Sequence, residues 1–272
     1  MKQVILITGA SSGIGKATAK RLIQDGHTVY SAARRLDQMV DLKAMGGHPI
    51  KMDITIESNI QEVVQTIQGQ HGALDILINN AGYAIYGAME DTSLDDARRQ
   101  FEVNLFGLAR LTQLVLPAMR ERGKGRIINV SSMGGKIYTP LGSWYHATKH
   151  ALEGWSDCLR LELKPFGIEV VIIEPGAIVT EFGDVMLEPM LKRSGQTAYG
   201  PMTQSVATAT RESYKTGGGS APEVISDLIS KAVMARRPKT RYVAGKFARP
   251  LLFVRRFFSD RFFDRIIMSQ VK

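Results

Sequence analysis

Cysteine is almost missing from this 272-residue chain: Cys158 is its one thiol, so no internal disulfide framework is available and a reducing, cytoplasmic setting is expected. The neighbours Leu152, Trp155, Leu159 and Leu161 predict that this thiol is buried and structural. Five histidines are scattered along the chain, and no His/Cys/Asp group has ligand spacing, so the chemistry is expected to need no metal. No apolar run approaches the ~20 residues of a membrane-spanning helix. A leader is not expected either, because Met1-Lys2 passes straight into Val4-Ile5-Leu6-Ile7, a stretch long enough only for a strand. With neither repeats nor a linker-like break in composition, one domain is expected over 1–248, followed by a distinct segment over 249–272.

Acidic residues are scarce in one place only. The net charge is +9, yet from Lys231 onward twelve Lys/Arg face just Asp260 and Asp264, so the rest of the chain is close to neutral. Basicity belongs to the tail, which argues against nucleic acid as a partner of the domain.

What the chain does have is an alternation of short apolar runs and amphipathic stretches. Val4-Ile5-Leu6-Ile7 reads as a strand buried on both faces, and residues 16–25 as a helix closed by Gly26. Between them lies Thr8-Gly9-Ala10-Ser11-Ser12-Gly13-Ile14-Gly15, spaced G-x-x-x-G-x-G. A glycine-rich turn between strand and helix makes a phosphate cradle, because backbone N–H groups and the positive helix end can approach a pyrophosphate. Further strands are expected over 28–32, 50–52, 74–78, 126–130, 167–173 and 240–243, with helices over 36–45, 57–70, 94–122, 145–164 and 224–235. This order implies a doubly wound α/β fold, one parallel sheet with helices on both faces. Residues 181–221, rich in Met, Gly, Ser and Thr, read as a long substrate loop, either a lid or a disordered segment.

At the end of the second strand, where dinucleotide folds place a carboxylate for the ribose 2′-hydroxyl, stands Ala33 with Arg34 directly after it. A guanidinium without a carboxylate favours a 2′-phosphate, hence NADP(H) over NAD(H). The stretch from Ser131-Ser132 to Lys149 carries the reaction chemistry. Tyr145 and Lys149 are four apart and share one helical face. A phenol with a pKa near ~10 is a poor acid or base at neutral pH, and an ammonium one turn away draws that pKa toward the working range. Ser132 is placed to hydrogen-bond the oxygen that the tyrosine protonates.

Four motifs together resemble the short-chain dehydrogenase/reductase family in its compact form: Thr8–Gly15, Asn79-Asn80-Ala81-Gly82, Ser132 with Tyr145 and Lys149, and Pro175-Gly176. The resemblance covers about residues 2–182. It implies a Rossmann-like parallel sheet of about seven strands and a nicotinamide cofactor held at the strands' carboxyl ends. It also implies that Tyr145 is the general acid/base and that Lys149 holds the nicotinamide ribose. Ser132, thirteen residues before Tyr145, orients the substrate oxygen, and Asn104 holds a relay water behind the lysine. The cofactor's phosphates fall to Gly9, Ser11, Ser12, Gly13, Ile14 and Gly15, its adenine to Asp53, its adenosine ribose to Asn80, and its carboxamide to Ile178 and Thr180. A homodimer or homotetramer acting on a small carbonyl or alcohol is implied as well. A steroid-, retinoid- or lipid-like substrate is the expectation, with a non-catalytic NADP(H) sensor as the alternative. The longer sugar-nucleotide relatives use another glycine spacing and a larger C-terminal domain.

In the tail, Leu251, Val254, Phe258, Phe262 and Ile266 recur at helical spacing among Arg255, Arg256, Arg261 and Arg265. One basic amphipathic helix over 249–268 is predicted, its apolar face packing on the domain. Weak contact with a membrane surface, cover for the substrate cleft and contact with another subunit compete with that packing.

Overall fold

Each short apolar run becomes a strand covered on both sides. The computed structural model describes residues 2–214 and 218–271. Its elements are β1 (Val4–Thr8), α1 (Gly13–Gln24), β2 (Thr28–Ala33), α2 (Val40–Ala44), β3 (His48–Lys51), α3 (Glu57–His71), β4 (Ile76–Asn79), α4 (Leu94–Phe101) and α5 (Gly107–Glu121). There follow β5 (Gly125–Val130), α6 (Ser143–Leu163), β6 (Ile168–Pro175), α7 (Phe182–Ser194), α8 (Gly200–Tyr214), α9 (Glu223–Met234), β7 (Arg241–Ala244), α10 (Ala248–Phe257) and α11 (Asp260–Ser269). The seven strands form one sheet in the order β3-β2-β1-β4-β5-β6-β7, every neighbouring pair parallel. This is the Rossmann-like, doubly wound α/β sheet expected.

Alternation along each strand sorts one apolar run onto two faces. Ile5, Ile7, Ile76, Ile78 and Ile128 pack with Leu22 of α1 and Ile225, Ile229 and Val233 of α9. Leu6, Leu77 and Ile127 pack with Val63 and Ile67 of α3, Leu111 and Val115 of α5, and Leu159 of α6. The strand order reverses direction between β1 and β4, and in such sheets the crevice for a ligand opens at the carboxyl ends on either side of that point.

Several boundaries differ from the sequence expectation. The stretch 94–122 is two helices joined by a π turn, Glu102–Phe106. Gly107 closes that turn: a Cβ there would lie 2.4 Å from the Ile54 carbonyl oxygen. The expected helix over 36–45 is a 3₁₀ turn, Asp37–Met39, running into α2. Residues 181–221 are no open loop but mostly α7 and α8; residues 215–217 of that segment lie outside the described residues. Met186, Leu187 and Met190 of α7 pack with Ala207 of α8, Ala88 and Leu141, which makes a helical cap. The tail is two helices, broken at Phe258-Ser259, where extended backbone at Ser259 precedes the start of α11. Cys158 is exposed, not buried. The reason is helical spacing: Leu152, Ser156, Leu159 and Leu163 turn inward on α6, whereas Gly154, Cys158 and Leu161 share the outer face.

Candidate active site

The end of β1 is stitched to the end of β4. Thr8 Oγ1 accepts from the backbone N–H groups of Asn80 (3.0 Å) and Ala81 (2.9 Å). In return, Asn80 Nδ2 donates to the carbonyls of Thr8 (2.9 Å) and Gly9 (3.2 Å). Glycine is required where the turn passes this junction. Gly9 has φ +67°, and a Cβ on Gly15 would lie 2.3 Å from the Gly9 oxygen and 2.4 Å from Asn80 Nδ2. Helix α1 then begins at Gly13 with no side-chain cap and no acid in its first turn. Its leading N–H groups are therefore available to an anion, and Thr180 closes over Gly13, where a Cβ would meet its Cγ2 at 3.1 Å. These residues fit a dinucleotide pyrophosphate.

Beside the cradle, Arg34 is exposed and lines a groove with Ile50, Lys51, Asp53 and Asn59. Burial pushes the Asp53 carboxyl up, but bonds from the Thr55 N–H and hydroxyl, with the charges of Arg34 and Arg99, bring it below its ordinary value. Arg35 is the residue that sequence reasoning passed over. Its Nη2 reaches Ser11 Oγ (3.3 Å) and Ser12 Oγ (3.2 Å) and pairs with Glu181 (3.3 Å).

The second half of the site is built on β5 and α6. Ser132 follows β5 and caps the 3₁₀ turn Met133–Gly135, its Oγ accepting from Gly134 N–H at 2.9 Å. Gly134 is where the chain returns to α6: a Cβ there would lie 3.2 Å from Ser132 Oγ, from the Tyr145 ring and from His146 Nδ1 alike. Thus Ser132 and Tyr145 converge on one glycine. His146, not singled out by the sequence reading, holds that convergence. Its Nε2 accepts from Thr139 N–H (3.1 Å), so its Nδ1–H donates to the Gly134 carbonyl (2.9 Å), and burial holds its pKa below the usual histidine value. Tyr86 packs against Tyr145 at a ring-centroid distance of 6.0 Å.

One turn beyond Tyr145, Lys149 is 7% exposed and donates to the Val130 carbonyl at 2.9 Å. Burial draws its pKa down to about 8, against the opposing charge of Glu153. Asn104 sits in the π turn and is 1% exposed. Its Oδ1 accepts from Tyr83 N–H (3.1 Å) and its Nδ2 donates to the Tyr83 carbonyl (2.9 Å) and to Thr148 Oγ1 (3.1 Å). It therefore ties the loop after β4 to α6 next to the lysine. A buried amide relay, Asn79 to Asn129 (2.9 Å) and Asn129 to Ser156 (2.9 Å), fixes β4, β5 and α6 to one another.

Behind Lys149 lies a charged cluster. Glu153, one further turn along α6, meets Lys136 (3.2 Å) and Arg241 (3.0 Å), and Arg241 also meets Glu174 (3.2 Å) and Asp157 (2.6 Å). Burial, and then repulsion from Glu153, raise Glu174 to about 7 despite Arg241 and Lys136. The Tyr145 and Lys149 spacing was readable from the sequence, whereas Glu153 was not singled out there and the arrival of Glu174 and Arg241 depends on the β6–β7 pairing.

A glycine-rich turn after β1 that fits a dinucleotide, and a serine, a tyrosine and a lysine gathered at β5 and α6, stand on one doubly wound sheet. The family profile described as short chain dehydrogenase matches residues 3–189. A 3-ketodihydrosphingosine reductase from Bacteroides thetaiotaomicron is 34% identical over 92% of this chain and 90% of its own. Among solved structures, a short-chain dehydrogenase from Streptomyces avermitilis has a TM-score of 0.81 at 34% identity, covering 99% of this chain and 95% of its own. A serine dehydrogenase complexed with NADP+ has a TM-score of 0.77 at 28% identity, covering 89% and 94%. The chain belongs to the short-chain dehydrogenase/reductase family. It is an oxidoreductase acting on CH–OH groups with NAD(P) as acceptor.

Proposed function

We propose that this enzyme interconverts a hydrophobic ketone or aldehyde with its alcohol and uses NADP(H) in preference to NAD(H). The observation that carries the cofactor choice is the end of β2, where Ala33 stands in the carboxylate position, Arg34 follows exposed at the groove with Asp53, and Arg35 reaches Ser11 and Ser12. Guanidiniums and hydroxyl donors suit a phosphate monoester, and Ala33 gives a bare ribose diol no carboxylate at the strand end. Gly9, Ser11, Ser12, Gly13, Ile14 and Gly15 are the residues for the pyrophosphate, Asp53 and Asn80 for the adenosine, and Ile178 and Thr180 for the carboxamide end. The bound nicotinamide supplies the hydride acceptor or donor.

This chain's own residues manage the proton. Ser132 Oγ and the Tyr145 phenol hold the substrate oxygen between them, and Tyr145 takes or gives the proton there. Lys149, buried and cationic below about pH 8, favours the phenolate form of Tyr145 and lies where the nicotinamide ribose would be held. Asn104 fixes the loop after β4 against α6 and is the residue for a relay water. This joint arrangement supports turnover over the reading as a non-catalytic sensor. Support for a hydrophobic substrate comes from the Met- and Leu-rich cap, whose cluster includes Tyr86, the residue in contact with the Tyr145 ring. The sphingoid ketone in the name of the Bacteroides relative agrees with it.

The test is initial rates with NADPH and NADH on long-chain 3-keto amines, steroids, retinal and short polar ketones. NADPH with a long-chain or polycyclic ketone is expected to lead by at least ~10-fold. Arg34→Ala should weaken NADPH binding by roughly 2 kcal/mol and leave NADH nearly unchanged. Equal use of both cofactors would end the NADP(H) reading, and turnover restricted to short polar ketones would end the hydrophobic one.

A further inference from the structure

Helices α10 and α11 divide their apolar residues between two directions. Leu251, Leu252, Val254, Phe263 and Ile267 turn inward and pack with Met133, Ile137 and Tyr138, the segment directly after Ser132. Phe253, Phe257, Phe258 and Phe262 turn outward and are 57%, 64%, 46% and 39% exposed. They form one continuous aromatic surface across the break between the helices. Ring centroids are 4.8 Å apart for Phe253–Phe257 and for Phe258–Phe262, and 6.5 Å apart for Phe253–Phe258. Scattered exposed rings are ordinary, whereas a contiguous cluster marks a surface that a second apolar phase covers.

The surrounding charge identifies that phase. Both acids of the segment are engaged, Asp260 by Arg255 and Asp264 by the Tyr138 hydroxyl at 3.0 Å. Arg255 is itself folded over the rings of Tyr138 (5.2 Å) and Phe263 (5.9 Å). By contrast, Arg249, Arg256, Arg261 and Arg265 are exposed and make no ion pair among the described residues, with Arg256 lying 5.6 Å over the Phe257 ring. Four exposed phenylalanines are thus rimmed by four unneutralised arginines.

We propose that the α10–α11 pair is an interfacial docking surface for an anionic lipid bilayer, with the phenylalanine rings in the acyl boundary and the arginines at the headgroups. No described helix is long and apolar enough to cross a membrane, so the contact is one of lying on the surface. A second copy of the chain is the competing occupant. Two-fold pairing would set this arginine-rich face against itself, so charge opposes that pairing and favours an anionic partner. Because the inward face packs on residues 133–138, docking sets the Ser132 segment beside the lipid phase. The supply of an apolar substrate from the bilayer would follow; only that consequence rests on the hydrophobic-substrate reading.

The full-length protein is floated with vesicles of phosphatidylcholine alone and of phosphatidylcholine mixed with phosphatidylglycerol, at low and high salt. Wild type is expected to bind the anionic vesicles and to lose at least ~10-fold in binding at high salt. The paired exposed substitutions Phe257→Ser/Phe258→Ser and Arg261→Glu/Arg265→Glu should each lower binding by at least ~10-fold. Their melting temperature and cofactor affinity should stay at the wild-type values. Absence of wild-type binding to anionic vesicles overturns the proposal, as does wild-type-level binding by both variants. Sedimentation velocity covers the other occupant: if the phenylalanine variant turns a dimer into a monomer while wild type ignores lipid, the surface belongs to a second copy. All readouts precede turnover, so their failure is separable from that of the substrate and cofactor readings.

Discussion

Lys149 holds a charge where water hardly reaches, and its neighbours decide what that charge can do. Its ammonium is anchored to the Val130 carbonyl and opposed by Glu153 one turn on, so it presents a fixed positive charge on the Tyr145 face of α6. If Tyr145 moves the proton, Tyr145→Phe should lower kcat by at least ~10²-fold while the thermal melt and cofactor affinity stay unchanged. Turnover close to wild type on a good substrate would remove Tyr145 from that role. Glu174 gives a second test, with a definite sign. Its carboxyl is raised from 4.5 to about 7 in the folded protein, mainly by burial, so the native state binds this proton more tightly than the unfolded chain does. Its contribution is therefore most favourable at low pH and is lost as pH rises from about 4.5 to about 7. Urea unfolding at about pH 5 and about pH 7.5 should show a loss in wild type on the order of 2–3 kcal/mol larger than in Glu174→Gln. Parallel pH curves for the two proteins would refute the assignment. The serine, tyrosine and lysine were legible because their chemistry is tied to spacing along one helix and its preceding strand. Arg35 was not, because its meaning comes from Ser11 and Ser12 across a turn.

The elements that carry the site are held by close backbone approaches that admit no side chain. In the β1–α1 turn, a Cβ on Gly15 would press on both the Gly9 carbonyl and Asn80 Nδ2, so Gly15→Ala must break the stitch between β1 and β4 or displace α1. The expected cost is about 1–3 kcal/mol of stability, with cofactor binding weakened by at least ~10-fold. Gly69, in the last turn of α3 with nothing within 4 Å of its would-be Cβ, is the control. Gly69→Ala should stabilise by up to about 0.5–1 kcal/mol through helix propensity alone. Calorimetry and cofactor titration of the two variants separate close approach from a general intolerance of alanine, and equal effects would contradict the geometry. Glycine spacing and strand ends announced this turn in the sequence. The π turn was silent, because the apolar period runs on through 94–122 and what breaks it is tertiary: Asn104 reaching Tyr83 and Thr148, and Gly107 under Ile54. Helices α7 and α8 were hidden for a related reason. Their apolar faces are methionine, leucine, alanine and valine interrupted by glycine, proline, serine and threonine, and they gain a pattern only where Met186 and Met190 meet Ala207.

Across the whole molecule, the tail presents an inner and an outer face, and comparing its removal with a change to the outer face alone separates them. Its basic, phenylalanine-rich character was plain in the sequence, but one amphipathic period serves one helix or two equally well. The break at Phe258-Ser259 is what turns Phe263 and Ile267 inward while Phe257 and Phe258 stay out. Deleting residues 249–272 uncovers Ile137, Met133 and Tyr138 and discards two side chains, Phe263 and Ile267, that are 0% and 8% exposed. At about 1.5–3 kcal/mol for each buried side chain, the loss is about 3–6 kcal/mol. That is a large share of the ~5–15 kcal/mol that holds a domain together. The truncated protein should therefore unfold at a clearly lower denaturant midpoint. Because Met133 and Ile137 lead directly from Ser132, it should also show a higher KM for bulky ketones with cofactor affinity held. Phe257→Ser/Phe258→Ser, which touches the outer face alone, should leave the midpoint within ~0.5 kcal/mol of wild type. If truncation leaves the midpoint where it was, the inner face holds nothing in place, and the tail is an appendage rather than part of the fold that carries the site.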